Sequence, residues 1–309
     1  MSLALLILAH KNPHQVARLF RAVYRPVDVV VLHFDRRSSR ELHQLGANLA
    51  RAHPNVVVLP SRTVLWGGYE MAAAQIDAMA AALRVRSDWH HFINLTGQDF
   101  PLQSTDAIDA RLAAEPEANY VSWFDPMTST FWSNARQRIL RYHLEWPWLD
   151  RLLRVPGFGR RLRALLGWRN RLPHLPGFER KWPDFHYYGG SNHVILSRAA
   201  CQHVVSDPQA LRIRRWLKHA GHANEIVFPS VMLNSPLAHT VVNTDLREID
   251  FPLHAPHPRT FTSRDWDRLN ASPMLIARKF DEAVDGAILD RLAARLPGIT
   301  RSQPEPAHS

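Results

Sequence analysis

The first 125 residues alternate buried-strand and amphipathic-helix patterns, and this alternation constrains the fold more than any other feature. Leu3–Ala9 is an uninterrupted apolar run, as a strand covered on both faces requires. Asn12-Pro13 then predicts a helix N-cap followed by a first-turn proline. Val16, Leu19, Phe20 and Val23 recur at i, i+3, i+4 and i+7, one face of that helix. Pro26 ends it, and Val27–Phe34 predicts a second strand closing on Asp35. Ser38–Arg51 reads as a helix and Asn55–Leu59 as a third strand. Tyr69–Arg84 follows as a helix with Ala72, Ile76, Met79, Ala80 and Leu83 along one face. His91–Leu95 predicts a fourth strand, Thr96–Asp99 a loop, Asp106–Leu112 a short helix and Asn119–Phe124 a fifth strand. A βαβα order of this kind predicts an α/β fold with a mostly parallel sheet flanked by helices. Such sheets take ligands at the carboxyl ends of their strands, where Asp35 and the Thr96–Asp99 loop fall.

Residues 126–186 break the pattern. They carry Trp132, Trp146, Trp148, Trp168 and Trp182, several prolines and a run of arginines. This stretch reads as an insertion with one or two short helices inside a single domain spanning residues 1–298, and residues 299–309 read as a disordered tail. Regular structure resumes at Tyr187. The pattern predicts a strand over His193–Leu196, a helix capped by Asp207-Pro208 and running to about Lys218, and another helix opening at Asn224. A last helix is expected over Phe280–Leu296, with Phe280, Val284, Ala287, Ile288 and Leu292 on one face.

Composition narrows the chemistry. Cys201 is the only cysteine among 309 residues, which excludes a disulfide framework, a cysteine-built zinc site and a CxxC redox pair. The formal net charge is +10, from 38 Lys+Arg against 28 Asp+Glu, so an anionic partner is expected: a nucleotide, a nucleic acid or a lipid surface. The excess is local: between Arg151 and Lys181 eight further cations face one acid, Glu179. No apolar run is long enough to span a membrane. The apolar N-terminus is short and lacks a basic preface, so it reads as a strand and the chain is expected in the cytoplasm.

Neither GxxxxGK[ST] nor GxGxxG occurs, so Gly67-Gly68 and Gly189-Gly190 are expected to serve turns or close backbone approaches. His219/His222 and His254/His257 are each three apart without an HExxH frame, and they read as scattered histidines, not as a metal site. The tryptophan- and arginine-rich stretch fits a sugar-acceptor wall, a contact with an anionic membrane, or a solvated arginine face over a tryptophan core. Stacking on single-stranded nucleic acid is the further alternative, and no nucleic-acid partner is expected. Glu225 opens an apolar helix, where the dipole would favour a carboxylate able to act as a base, although first-turn acids are also ordinary. Arg259 and Lys279 are by themselves surface cations, but Lys279 lies between apolar Met274–Ala277 and Phe280, as a half-buried cation would.

Several segments taken in order resemble a known family. They are Leu8-Ala9-His10-Lys11-Asn12-Pro13, Leu32-His33-Phe34-Asp35, Trp66-Gly67-Gly68, Phe92-Ile93-Asn94-Leu95-Thr96-Gly97-Gln98-Asp99-Phe100-Pro101-Leu102, Gly190-Ser191 followed by Leu196-Ser197-Arg198, and Ile276-Ala277-Arg278-Lys279-Phe280-Asp281. They resemble the core-2/I-branching β-1,6-N-acetylglucosaminyltransferases, a family that also holds the peptide O-xylosyltransferases. The resemblance spans about residues 3–292 and is poorest over 126–186.

It implies a GT-A-type glycosyltransferase fold, a UDP-sugar donor with GlcNAc favoured over xylose, inversion at the sugar carbon and no divalent metal cofactor. It implies Glu225 as general base, with Asn224 where the family usually has aspartate. It implies Arg259 and Lys279 as the cations on the donor diphosphate, with Asp35 near the nucleoside. His10, Trp66, Asp99 and Ser191 are implied to line the donor cleft. The expected acceptor is a glycan, lipid-linked glycan or protein hydroxyl, with Arg136, Arg138 and Arg141 in the stretch where acceptor contacts are expected. Asp265-Trp266-Asp267 matches a DxD metal motif in letters only and is read as coincidental. Animal relatives carry an N-terminal anchor, so this chain is expected to be a soluble, bacterial-type member, peripheral on the inner membrane face through its basic insertion. The rival from another class is a non-catalytic glycan- or membrane-binding protein on the same fold.

Overall fold

A computed structural model describes residues 2–132, 134–153, 155–165, 174–252 and 257–296. The expected tail from Arg301, and with it His254 and Trp168, lies outside the described residues.

The chain opens with β1 (Ser2–Ala9), α1 (Pro13–Val23), β2 (Val29–Phe34), α2 (Arg40–Ala52), β3 (Val56–Val58), α3 (Tyr69–Val85), β4 (Trp89–Thr96), β5 (Asp99–Pro101), α4 (Thr105–Ala113) and β6 (Asn119–Phe124). The insertion carries α5 (Ala135–Leu140), β7 (Arg141–His143), α6 (Pro147–Leu153), α7 (Phe158–Leu165) and β8 (His174–Glu179). Then come β9 (Gly189–Ser197), α8 (Arg198–Ser206), α9 (Pro208–Leu217), α10 (Val227–Leu233), β10 (Val241–Val242), β11 (Arg247–Ile249), α11 (Trp266–Ala271), β12 (Ile276–Arg278), α12 (Glu282–Asp285) and α13 (Ala287–Arg295).

Seven strands form the main sheet in the order β10-β6-β9-β4-β1-β2-β3. Only β9 runs antiparallel to its neighbours, so the sheet is the mostly parallel, helix-flanked one expected. Two apolar clusters cover its faces. One gathers α3, α8, α9 and α10, and the other gathers α1, α2 and α13. Every residue of β2 is buried, as the apolar runs predict for central strands.

Away from the Glu225 turn, the structure differs from expectation in four places. Asn12 holds the N-cap position ahead of Pro13 as expected, but in the left-handed region at φ 56° and without a side-chain cap; its amide donates to Asp281 instead. The predicted last helix is two: Gly286 separates α12 from α13, and Val284 is 62% exposed, so the 280–292 stripe is not one helical face. Phe280 is buried from the loop before α12. Asp99, expected in a loop, begins β5, which pairs with β12 in a second small sheet β11-β12-β5. The insertion holds three described helices, α5 to α7, and a β7–β8 ribbon.

Candidate functional site

β1, β2 and β4 leave the sheet at one edge and deliver His10, Asp35 and Thr96 to it. Because β9 is antiparallel, its beginning, Gly189–Ser191, reaches the same edge. Gly190 is there for a close approach, since a Cβ would strike the Ser122 carbonyl of β6. Ser191 Oγ accepts from the His193 N–H at 3.1 Å. His10 is exposed. Asp35 is buried and saturated: it accepts from the Arg37 and Val64 backbone N–H groups at 2.8 Å each and from the Arg37 guanidinium. Arg37 and these N–H donors offset the cost of burial and hold the Asp35 carboxyl below its ordinary pKa.

Asp99 is fully buried and accepts from Thr96 N–H and Oγ1 at 2.9 Å. The pairing of β12 with β5 sets Arg278 opposite it, 3.4 Å away. Arg247 of β11 approaches to 4.0 Å and is itself buried, donating to the Asn94 carbonyl and to the Asp245 carbonyl. Arg278 also donates to His193, whose burial and two arginine neighbours keep it neutral, well below its ordinary pKa. Asp245, also buried, accepts the Arg247 N–H on its carboxylate, so two arginines and two aspartates balance beneath the edge. Lys279 follows Arg278 directly, is half-buried, and makes no ion pair among the described residues.

The Phe261 N–H bonds the Lys279 carbonyl, which lays the Arg259–Phe261 segment against Lys279. Arg259 is fully engaged: Nε donates to Asp250 at 2.6 Å and Nη1 and Nη2 to Asp265 at 2.9 and 2.6 Å. Asp265, held by Arg259 well below its ordinary range at about 2, also closes a capping box with Thr262. The Asp265-Trp266-Asp267 string is thus built into this corner.

Before α10, His222 takes a left-handed conformation at φ 57° and a short 3-10 turn, Ala223–Glu225, follows. α10 starts only at Val227, so the helix expected at Asn224 begins later and Glu225 lies outside it. The expected dipole effect has the wrong sign here. Burial pushes the Glu225 carboxyl up to about 7, and Arg138 pulls the other way without winning. The side chain keeps 35% of its surface open and lies 3.7 Å from both Arg138 Nη1 and His222 Nδ1. Burial and Arg138 hold His222 down at about 3, so it is neutral at working pH. Arg138 stacks over Trp132 with 4.0 Å to the ring centroid.

Trp66 stands edge-on to His222 at 4.9 Å and reaches His257 at 6.3 Å, which links the turn to the Arg259 segment. Its loop depends on both glycines. Gly67 has φ +72°, and a Cβ on Gly68 would collide with Glu145. The Glu145 carboxylate takes the place of that side chain, accepting from Tyr69 N–H at 2.6 Å to cap α3.

The structure therefore sets the Trp66 loop against the Glu225 turn through His222 and near the Arg259 segment through His257, with Asp35, Asp99 and Ser191 along the strand edge. Sequence reasoning missed Arg247, Arg278, His193 and Glu145. Arg278 adjoins the singled-out Lys279, whereas nothing local marks Arg247 or Glu145. Among the described residues no group of three or more His, Cys, Asp or Glu converges as metal ligands would.

The sequence profile of the Core-2/I-branching enzymes matches residues 3–274. The chain is 24% identical over 313 residues to a xylosyltransferase of Ciona intestinalis, covering 95% of this chain and 34% of that protein. It is 26% identical over 315 residues to xylosyltransferase 2 of Canis lupus familiaris, covering 95% and 33%. The chain spans about a third of the length of these curated relatives. Mouse xyloside xylosyltransferase 1 in its apo form aligns over 90% of this chain and 97% of that one, at 11% identity and a TM-score of 0.36, a likeness too loose to build on.

Proposed function

The chain belongs to the Core-2/I-branching enzyme family, and from that premise we propose that it is an inverting, metal-independent glycosyltransferase. It moves a sugar from a UDP-sugar to a hydroxyl of a glycan, lipid-linked glycan or protein. The observation that carries this reading is Glu225, a partly open carboxyl 3.7 Å from both Arg138 Nη1 and His222 Nδ1, which burial pushes up to about 7. A sugar hydroxyl is a poor nucleophile until a base takes its proton during attack, and a base is most effective when its pKa lies near the working pH. Glu225 takes that proton while the hydroxyl attacks the anomeric carbon from the face opposite UDP, so an α-linked donor gives a β-linked product.

UDP leaves with added charge on its β-phosphate. Lys279, the cation without a carboxylate partner among the described residues, meets that charge. Arg259 adds a fork beside it, on exchanging at least one of its carboxylates for phosphate. Arg138 holds the Glu225 carboxylate in place. The rings of Phe131 and Trp132, both packed on Phe124, with Arg138 over Trp132, suit the apolar face and hydroxyl rim of an acceptor sugar. The relatives' names favour xylose as the transferred sugar, where the family resemblance alone favours GlcNAc.

The test is binding and UDP release in EDTA, with UDP-xylose and UDP-GlcNAc, for the wild type and Glu225→Gln. One donor is expected to bind both proteins, with turnover falling about 10²- to 10⁴-fold in the variant. Binding only after a divalent ion is restored would overturn metal independence. Equal turnover in both proteins would remove Glu225 as base, and glycan binding without turnover under any donor would favour the non-catalytic alternative.

A further inference from the structure

We propose that the outward face of α6 and α7 is a docking surface for an anionic membrane. The inner side of these helices is already filled: Leu149 and Leu153 are buried and pack with Leu144 and Leu162. What faces outward is apolar and cationic together. Trp148 is 61% exposed, and Trp146, 45% exposed, stacks on it with centroids 5.6 Å apart and planes 18° from parallel. Val155 and Phe158 are exposed just beyond. Arg151, Arg160 and Arg161 are exposed among them.

A water-facing surface seldom gathers aromatic and aliphatic side chains this way without a partner. The chemistry of the partner follows from the mixture. Indole and phenyl rings settle at the boundary between headgroups and acyl chains, while arginines meet lipid phosphates. The sequences of α6 and α7 carry Arg151, Arg160, Arg161 and Arg163 against one acid, Asp150, so the pair complements a negative surface. Among the described residues no helix is long and apolar enough to cross a membrane, so the contact lies along the surface.

The face is also tied to the candidate site. Trp146 follows Glu145, the residue that caps α3 immediately after the Trp66-Gly67-Gly68 loop. Seating the ridge on a bilayer would bring the Trp66–Glu225 region to the lipid surface. Resting on the transferase reading above, this deepens it: the acceptor hydroxyl belongs to a glycan carried on a membrane lipid.

The test is co-sedimentation of the full chain with vesicles of phosphatidylcholine alone and of phosphatidylcholine with an equal part of phosphatidylglycerol, at low and high salt. The expected result is binding to the anionic vesicles that weakens with salt. Arg160→Gln with Arg161→Gln should lower partitioning roughly 30-fold, at about fivefold per charge. Trp146→Ser with Trp148→Ser should lower it on the order of tenfold or more. Circular dichroism and UDP-sugar binding in solution, expected unchanged, report whether each variant folds. Equal partitioning of wild type and folded variants, or no binding to anionic vesicles, would overturn the proposal. So would tighter binding to a single-stranded oligonucleotide that the arginine variant loses and the tryptophan variant keeps. Vesicle binding and donor binding are separate readouts: loss of the first alone defeats docking, and absence of the second alone defeats the transferase reading.

Discussion

At the strand edge, Asp35 accepts from two backbone N–H groups and a guanidinium, and Asp99 is held by Thr96 with two arginines beside it. At the turn before α10, Glu225 has only 3.7 Å approaches from Arg138 and His222. Arg138 Nη1, His222 Nδ1 and Asn224 Oδ1 are buried with no hydrogen-bond partner among the described residues, and so are Arg247 Nε and His193 Nδ1 beneath the strand edge. The contrast therefore lies in the carboxylates: Asp35 and Asp99 are saturated and Glu225 is not. Buried polar groups are ordinarily paired, and those that are not mark stored strain or a place for a ligand. The difference assigns labour. The saturated half keeps its shape whether or not a ligand is present. The unsaturated half gains its missing hydrogen bonds when a polar molecule such as a sugar arrives. It is also where burial pushes a carboxyl up to about 7, since among the described residues nothing donates a close hydrogen bond to its charged form.

The same contrast separates the two candidate cations, and this is where the largest effect is expected. Lys279 is half-buried and unpaired among the described residues, while Arg259 is clamped by Asp250 and Asp265. Lys279→Ala should lower kcat/KM for the UDP-sugar on the order of a hundredfold, with little change in thermal midpoint. Arg259→Ala should show the reverse balance: a smaller kinetic loss, and a stability loss of about 1 kcal/mol at most, since its pairs are partly exposed and screened by water. Steady-state kinetics and thermal melts on the two variants decide it. An Arg259→Ala enzyme crippled as severely as Lys279→Ala, with an unchanged melt, would show that the clamp opens onto the diphosphate.

A pH series probes the other half of the comparison. With Glu225 near 7, kcat/KM should rise with pH and level off above about 7, falling roughly tenfold per unit below it. His222, neutral down to about 3, adds no second step in that range, and Arg138 stays charged throughout. Stability should run the opposite way. A carboxyl whose folded pKa is raised binds more protons folded than unfolded between its unfolded value, near 4.5, and about 7. Its contribution is therefore most favourable at low pH and is lost as pH climbs through that window. Glu225→Gln should thus be more stable than wild type at pH 8, by about 1 kcal/mol once its open surface is discounted for solvent screening. A flat rate profile across neutrality, or a Gln variant less stable at pH 8, would place Glu225 among the saturated carboxylates.

Much of the saturated half was legible in the sequence because local patterns fix it. Continuous apolar runs specify β1, β2 and β4, and parallel strands put Asp35 and Thr96 at one edge whatever their partners. The turn half was legible in identity but not in physics. Glu225 could be singled out beside an apolar helix, yet its electrostatics depend on Arg138, 87 positions away in the chain, and on the turn ending before α10 begins. Arg247 and Arg278 become neighbours only through β11-β12-β5, whose three-residue strands are too short to show a period. The break at Gly286 was missed because Val284 and Ile288 share helical spacing with Phe280 and Leu292, and periodicity alone cannot tell one helix from two.

The smallest expected effect tests how the unsaturated half is braced. Glu145 is a buried carboxylate, pushed above its ordinary pKa by burial although it accepts from Tyr69 and Glu70 N–H groups at the start of α3. Gly68 leaves room for it, and an added Cβ would meet the Glu145 carboxylate and approach the Leu65 carbonyl to 3.2 Å. Glu145→Ala should cost about 1 kcal/mol by uncapping α3, read as a lower denaturant midpoint at unchanged slope. Gly68→Ala should cost a similar amount, because its backbone at φ −84° suits alanine and only the collision opposes it. The double variant carries the argument. If both changes act by evicting one carboxylate from one helix end, their costs should not add, and the cycle should show a coupling of about 1 kcal/mol. Additive costs would mean that Gly68 serves the Trp66 loop independently of the cap. The loop opposite Glu225 would then be braced as firmly as the strand edge, and the contrast between the two halves would narrow to the carboxyl itself.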